Sequence, residues 1–224
     1  NLVGTESLGN FGSLPFLHVG FDEYWNWMDE LLIPRLSEYF EEEWGVIPIG
    51  EISSGYMFLL WNERLEDISQ LQGERFRVFG DINIRIFEEL GVNVITLPVE
   101  ELHTALERDM IDGMPNSSPL IDQLEAWEYY DYRNDLGAVI GSSFFAVNKQ
   151  SFEALPEDLQ QLVKDVAWEA TLHGRELVRE FEEQMAERFT EQGMETFPVP
   201  EDVTDEIRNI GRNIWASWAE QDSE

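Results

Sequence analysis

Apolar residues recur at intervals of three and four over "FDEYWNWMDELLIPRLSEYFEEEWG", residues 21–45, predicting a helix interrupted by Pro34 and stopped by Gly45. The same period runs through 155–193, "LPEDLQQLVKDVAWEATLHGRELVREFEEQMAERFTEQG", with Pro156 suited to an early helical position and Gly193 to a stop. At 1.5 Å per residue that helix would approach about 55 Å, longer than one small domain, unless it kinks near Gly174. Two shorter helices are predicted, from Asp81 to Leu90 ahead of Gly91 and over "VEELHTALERDM", 99–110.

Strand-like runs fill the spaces between them. They are "VIPIGEISSGYMFLLW" (46–61), "ERFRVF" (74–79), "VNVITLP" (92–98) and "AVIGSSFFAVN" (138–148), the last readable as one long strand or two short ones. The alternation of strand and helix predicts an α/β fold with parallel strands. The opening "SLGNFGSLPFLHVG" is punctuated by glycine and proline and reads as loop with short strand pieces.

With 43% hydrophobic and 12% aromatic residues over 224 positions, a packed core is affordable in size. The charge is what sets the chain apart: 46 acidic against 14 basic residues, a formal net charge of −32, with twelve arginines and only Lys149 and Lys164. No general basic surface exists for nucleic acid or anionic lipid, so neither partner is expected. Acidity spread along the chain with lysine nearly absent predicts a halophilic protein that stays soluble where salt screens its self-repulsion. Without cysteine there is no disulfide, thiolate metal site or cysteine nucleophile. The longest strongly apolar run, "YMFLLW", is far shorter than the roughly 20 residues a bilayer span needs. The chain starts at Asn1 with no signal-like segment, as a processed or partial chain would.

Patterns that carry chemistry are missing: no G-x-S-x-G elbow, no H-E-x-x-H, no phosphate loop and no G-x-G-x-x-G. His103 with Asp109 and Asp112 makes a metal set on paper, but helical spacing favours a solvated or supporting His103, and no metal is expected. Acidic pairs are so abundant that their proximity carries no acid–base meaning. Arg77 differs. A strand over "ERFRVF" places Arg75, Arg77 and Phe79 on one face and Phe76 and Val78 on the other, with Arg77 nearer the C-terminal end, where open α/β sheets bind ligands. An arginine there either clamps a carboxylate through two parallel hydrogen bonds or pairs with one of the many neighbouring acids.

Three stretches share one resemblance: "DISQLQGERFRVFG" (67–80), "FEELGVNVITLPVEELHTALERDMIDGMPNSSPL" (87–120) and "FFAVNKQSFEALPEDLQQLVKDVAWEA" (144–170). Together they resemble the extracytoplasmic solute-binding subunits of TRAP transporters, the DctP-like family. The matching features are a strand ending in arginine, a D-G pair after an A-L helix, and V-N-K ahead of L-P-x-D-L-Q. "LPFL" at 14–17 resembles the family's upstream segment, before which this chain has only 13 residues. The first lobe is therefore expected to be incomplete at its N-terminal end.

The resemblance implies a two-lobe, periplasmic-binding-protein-like α/β fold, with residues 1–54 and 142–181 in one lobe and 55–141 and 182–224 in the other. The long helix would then bridge the lobes. It implies a periplasmic, non-enzymatic protein without cofactor, which captures a small organic carboxylate and hands it to TRAP membrane permease subunits without entering the membrane itself. Arg77 falls on the family's carboxylate clamp and Asn116 on a polar pocket residue, while Asp112 and Gly113 look structural. Met57 stands where some members carry a second arginine, and Val99 where an aromatic is common. These departures imply a more apolar pocket, with Met57, Phe58, Trp61 and Val99 as walls. Trp127, Tyr129 and Tyr130 are further candidates, although core packing is the commoner use of aromatics. An α/β enzyme acting on a carboxylate and an interaction module with a degenerate ligand site are the alternatives.

Overall fold

The computed structural model describes residues 20–53, 55–139 and 142–221. The opening loop reading, "LPFL" and His18 lie outside them. The first helical stretch is continuous but not uniform: α1 (Gly20–Trp27) passes through a π-helical turn (Met28–Leu32) into α2 (Ile33–Trp44). Pro34 lies in the first turn of α2. Its ring would clash with the carbonyl four residues back in a regular helix, and the wider π turn just before it accommodates the misfit. The apolar stripe survives: Phe21, Trp25, Met28, Leu32, Leu36 and Phe40 are all buried along one side.

Beyond Gly45, β1 (Val46–Ser53) pairs antiparallel with β7 (Ser142–Asn148). The remaining strands form a larger mixed sheet. In it β5 (Met114–Ser117), β2 (Tyr56–Trp61), β6 (Tyr132–Val139) and β8 (Glu195–Pro198) are adjacent in that order. Strand β2 is antiparallel to both of its neighbours, whereas β6 and β8 are parallel. The expectation of parallel strands is thus corrected for β1, β2, β5 and β7, and holds for β6 with β8. Both neighbours of β2 come from far along the chain, beyond intervening helices, so its antiparallel pairing follows from long-range partners and not from local hairpins.

A parallel pair, β3 (Arg75–Arg77) and β4 (Asn93–Ile95), extends the sheet through a bridge between Phe76 and Gly113. Arg77 N donates to Gly113 O at 3.0 Å and Asp112 N to Arg75 O at 2.7 Å. A Cβ on Gly113 would lie 2.6 Å from Leu60 O and 2.8 Å from Phe76 Cε1, so only glycine lets the three strands close up. Asp112 accepts from the Arg75 backbone N and Nε at 2.8 and 2.9 Å, fixing the start of β3.

Alternation along the strands divides the core. Met57, Leu59, Trp61, Phe76 and Val78 face α3 (Asp81–Glu89) and α8 (Glu201–Gln221). Phe58, Leu60 and Met114 face α4 (Leu102–Glu107), α5 (Ser118–Gln123) and Met185 and Phe189 of the long helix. That helix, α7 (Glu157–Glu191), follows the short α6 (Lys149–Glu153) and runs 35 residues without a break at Gly174. Its Val178 packs on the α1–α2 cluster, while Met185 and Phe189 enter the core of the larger sheet. One continuous helix therefore packs on both clusters, and of the two outcomes that the pattern over 155–193 left open, a kink near Gly174 or an unbroken run, it takes the second. No helix among the described residues is long and apolar enough to cross a membrane.

Candidate functional site

Arg77 occupies the last position of β3. Its neighbours Phe76 and Val78 point into the α3–α8 side of the sheet, so Arg77 points to the other, yet it is only 5% exposed. Nε and Nη2 both donate to Leu97 O, at 3.3 and 3.1 Å, and the guanidinium lies 5.1 Å from the centre of the Phe79 ring. No carboxylate pairs with it among the described residues. The simplest use of an arginine in so acidic a chain, neutralising a neighbouring acid, is taken by Arg75 instead, which holds Asp112. Burial depresses the Arg77 pKa from its ordinary value. The cation stays charged at any physiological pH, since guanidinium begins so high, and it is a desolvated positive charge with unused donors.

Asn116 lies on the neighbouring strand β5, next to last in it, and is 3% exposed. It shares its face with Met114 and with its cross-strand partner Phe58, both in the α4–α5 cluster. It is therefore on the same side of the sheet as Arg77. Asn116 Oδ1 accepts from Ser117 N at 3.0 Å, whereas among the described residues Nδ2 has only the Met114 sulfur, at 4.0 Å. A thioether is a weak acceptor, so the amide keeps donor capacity in reserve.

The proposed walls separate into two groups. Val99, in the 3-10 turn Val99–Glu101, is 42% exposed and sits two residues from the carbonyl that holds Arg77. Phe58 shares the Arg77 and Asn116 side but is buried beneath Arg133, whose guanidinium is 4.3 Å from its ring. Met57 and Trp61 face the opposite way, into the α3–α8 core, and the structure does not bring them to Arg77. The alternation of β2 makes this unavoidable: a strand that offers Phe58 to one side offers Met57 to the other. Trp61 instead lines an acidic cavity of about 450 Å³ with Glu63, Glu74, Asp112, Tyr129 and Tyr130. There burial, with the charges of Asp112 and Glu63, raises the Glu74 pKa. Trp127 packs against Phe189, with ring centres 5.8 Å apart, and Tyr130 is buried in the same core. His103 is 3.4 Å from Glu107 and edge-on to Tyr129.

A second cavity, about 710 Å³, lies where the link between β1 and β2 meets α7 and the end of β5. Ser53, Gly55, Ser117, Phe181 and Glu182 line it. Sequence reasoning missed these residues, and little could have flagged them. Glu182 is one of three acids in "EFEE", yet it is 8% exposed while Glu180 and Glu183 carry no such burial. Burial raises its pKa, opposed by hydrogen bonds from Ser118 and the Tyr56 backbone and by the charge of Arg133. Arg133, on β6, was likewise not singled out. It is 2% exposed, donates to Thr196 Oγ1 at 2.6 Å and leaves Nη1 without a partner among the described residues.

Comparison with known proteins converges on one group. The family model described as bacterial extracellular solute-binding protein, family 7 (DctP), matches residues 4–222. A solute-binding protein of Sulfitobacter sp. (strain NAS-14.1) is 27% identical over 167 residues, covering 73% of this chain and 50% of its own length. The 2,3-diketo-L-gulonate-binding periplasmic protein YiaO of Escherichia coli (strain K12) is 26% identical over 128 residues, 57% of this chain and 39% of its own. Among solved structures, DctP7 of Bordetella pertussis, an extracytoplasmic solute receptor binding pyroglutamic acid, superposes with a TM-score of 0.85 at 24% identity, covering 98% of this chain and 72% of that one. The chain thus spans half or less of the length of these curated relatives. It has the two-lobe fold of the TRAP periplasmic receptors and belongs to the DctP family of bacterial extracellular solute-binding proteins.

Proposed function

We propose that this protein is the extracytoplasmic receptor of a TRAP-type transporter, which captures a small organic carboxylate between its lobes and delivers it to the membrane permease. The observation that carries the reading is Arg77: a buried guanidinium with no carboxylate partner among the described residues, in a chain with 46 acids to choose from. A ligand carboxylate supplies the missing charge. In a partly desolvated cleft, a charge-assisted bidentate pair is stronger than at the surface. Asn116 orients the ligand through its underused Nδ2, and Val99 and Phe79 provide apolar contact beside the guanidinium. Met57 and Trp61 act by packing the sheet beneath.

Lobe boundaries at 1–54 with 142–181 and 55–141 with 182–224 make α7 the bridging element. The ligand drives closure by contacting both lobes, since only differential affinity for the closed state can shift that equilibrium. Nothing in this scheme makes or breaks a covalent bond. Pyroglutamate and 2,3-diketo-L-gulonate, bound by the Bordetella and Escherichia relatives, are both carboxylates. Zwitterions of the ectoine type also carry that group.

A thermal-shift screen of the full-length protein in high salt tests the proposal, using pyroglutamate, hydroxy, keto and sugar acids, and ectoine-type zwitterions. A ligand at about a hundred times its Kd stabilises by roughly 2.7 kcal/mol, or about 2–4 °C for a protein of this size. A shift with carboxylates and none with their amides or esters supports the reading. Equal shifts for acid and amide would remove the carboxylate, and with it Arg77, from the mechanism.

A further inference from the structure

We infer that Glu182 is a positioning residue, which holds the Asn116 end of the β2–β5 ladder in register with the link between β1 and β2. The inference rests on the reading of Asn116 as a ligand contact. Three segments remote in sequence meet at this one carboxylate. Oε2 accepts from Ser118 Oγ at 2.6 Å, and Oε1 accepts from the Tyr56 backbone N–H at 3.2 Å. Ser118 opens α5, two residues after Asn116. Tyr56 opens β2, whose next two residues, Met57 and Phe58, pair with Ser117 and Asn116. Both strands of the ladder are therefore fixed, at the end where Asn116 stands, by a side chain of the helix that joins the two bodies of the molecule.

The fit is tight. Gly55 has φ +93°, and a Cβ there would fall 2.4 Å from Glu182 Oε1. Any side chain at 55 would displace the carboxylate or the backbone beside it. Glu182 also borders the 710 Å³ cavity, together with Gly55 and Ser117, so a change in its geometry has open space to move into on one side. A rigid-body change of α7 relative to the β1–β2 link would be passed through Glu182 to Ser118, and so to the strand that carries Asn116. The coupling element is named: one carboxylate with two donors on two different segments.

Amide exchange and NMR on the full-length protein without ligand test this. Ser118→Ala removes one donor and leaves the Tyr56 N–H untouched. Coupling through Glu182 predicts that Tyr56 and its neighbours exchange about tenfold faster in this variant, and that the Asn116 side-chain amide resonances move. Glu182→Gln, which keeps the shape and weakens both bonds, should move the same signals in the same direction. Thr190→Ala, on the same helix with a hydroxyl that donates to Ala186 O at 2.8 Å, serves as the control and should move neither. Faster exchange confined to the Ser118 turn, with Tyr56 and Asn116 unchanged, would overturn the inference and leave Glu182 as local packing. The ligand reading stands or falls separately, because it is decided by the carboxylate screen, in which none of these variants takes part.

Discussion

Of the three buried arginines among the described residues, Arg175 and Arg77 are treated in opposite ways. Arg175, on α7, is enclosed by its own protein: Nε meets Glu51 Oε1 at 2.8 Å, Nη1 and Nη2 meet the Asp29 carboxylate at 2.8 and 2.6 Å, and Trp25 and Trp168 lie near its faces. Burial works against its charge, but these hydrogen bonds and charges outweigh burial and its pKa is raised. Arg77 has a carbonyl and an aromatic ring, and burial alone lowers its pKa. The first is a finished ion cluster that fastens α7 to β1 and the α1 region. The second has no carboxylate partner among the described residues, the place that the proposed ligand carboxylate would take. A desolvated cation without a partner is costly, and proteins tolerate such costs where they serve binding.

The comparison breaks most visibly at Arg175. Arg175→Ala would leave Glu51, fully buried, without its cation, and removing one partner of a buried pair costs about 3–5 kcal/mol. Urea unfolding should show that loss, while Arg77→Ala should change stability by less than about 1 kcal/mol or raise it. Should the two variants prove equally destabilised, Arg77 would have to be reclassified as structural.

Gly113→Ala comes next. Its Cβ would press on Leu60 O and Phe76, where overpacking costs about 1–3 kcal/mol. Because Gly113 joins β3 to the sheet, ligand affinity should fall along with stability, which separates it from Arg77→Ala. Affinity intact in a destabilised Gly113→Ala would detach the β3 register from the site.

A smaller effect concerns pH. Burial raises the Glu182 pKa above its unfolded value, so between the two values the native state binds more protons than the unfolded chain. Glu182 therefore contributes a stability term present below the ordinary glutamate range and lost as pH rises through the raised value. Arg133 opposes the shift and Asp135 adds to it. Glu182→Gln should flatten this part of the stability profile, measured as the urea midpoint against pH. An unchanged slope would mean that the carboxylate titrates as though exposed.

The weakest dependence per residue, and the most general, is on salt. With a net charge of −32, the melting temperature should rise with NaCl as self-repulsion is screened. Arg175→Ala should follow the same trend from a lower start, its pair being too buried for salt to replace. A melting point independent of NaCl would dismiss the halophile expectation.

The helices were largely legible in the sequence because their signals are local. Pro156 and Gly193 bracket α7, and Gly91 follows α3. Even the fault at Pro34 was visible, though not its resolution as a π turn, since that depends on keeping Phe21 through Phe40 on one buried stripe. The strands were found but their directions were not: β2 pairs antiparallel on both sides, a fact decided by partners far along the chain. "ERFRVF" forms a strand only over Arg75–Arg77, because the chain leaves the sheet toward Gly80 and α3.

Within the site, period two correctly separated Arg77 from Phe76 and Val78. It could not say which face of β2 Arg77 would share, so Met57, Phe58 and Trp61 were all expected as walls, although alternation puts Phe58 on that side and Met57 and Trp61 on the other. Glu182 was illegible for a different reason. In "EFEE" one glutamate looks like the next, and only the approach of Tyr56 and Ser118 distinguishes it.

The most direct test of the central claim is a calorimetric titration of wild-type and Arg77→Ala protein with the acid that gives the largest thermal shift. A charged hydrogen-bond pair is worth about 1.5–3 kcal/mol, so the variant should bind at least tenfold more weakly while its unfolding midpoint stays near that of the wild type. Equal affinity in the two proteins would contradict the account and place the carboxylate elsewhere.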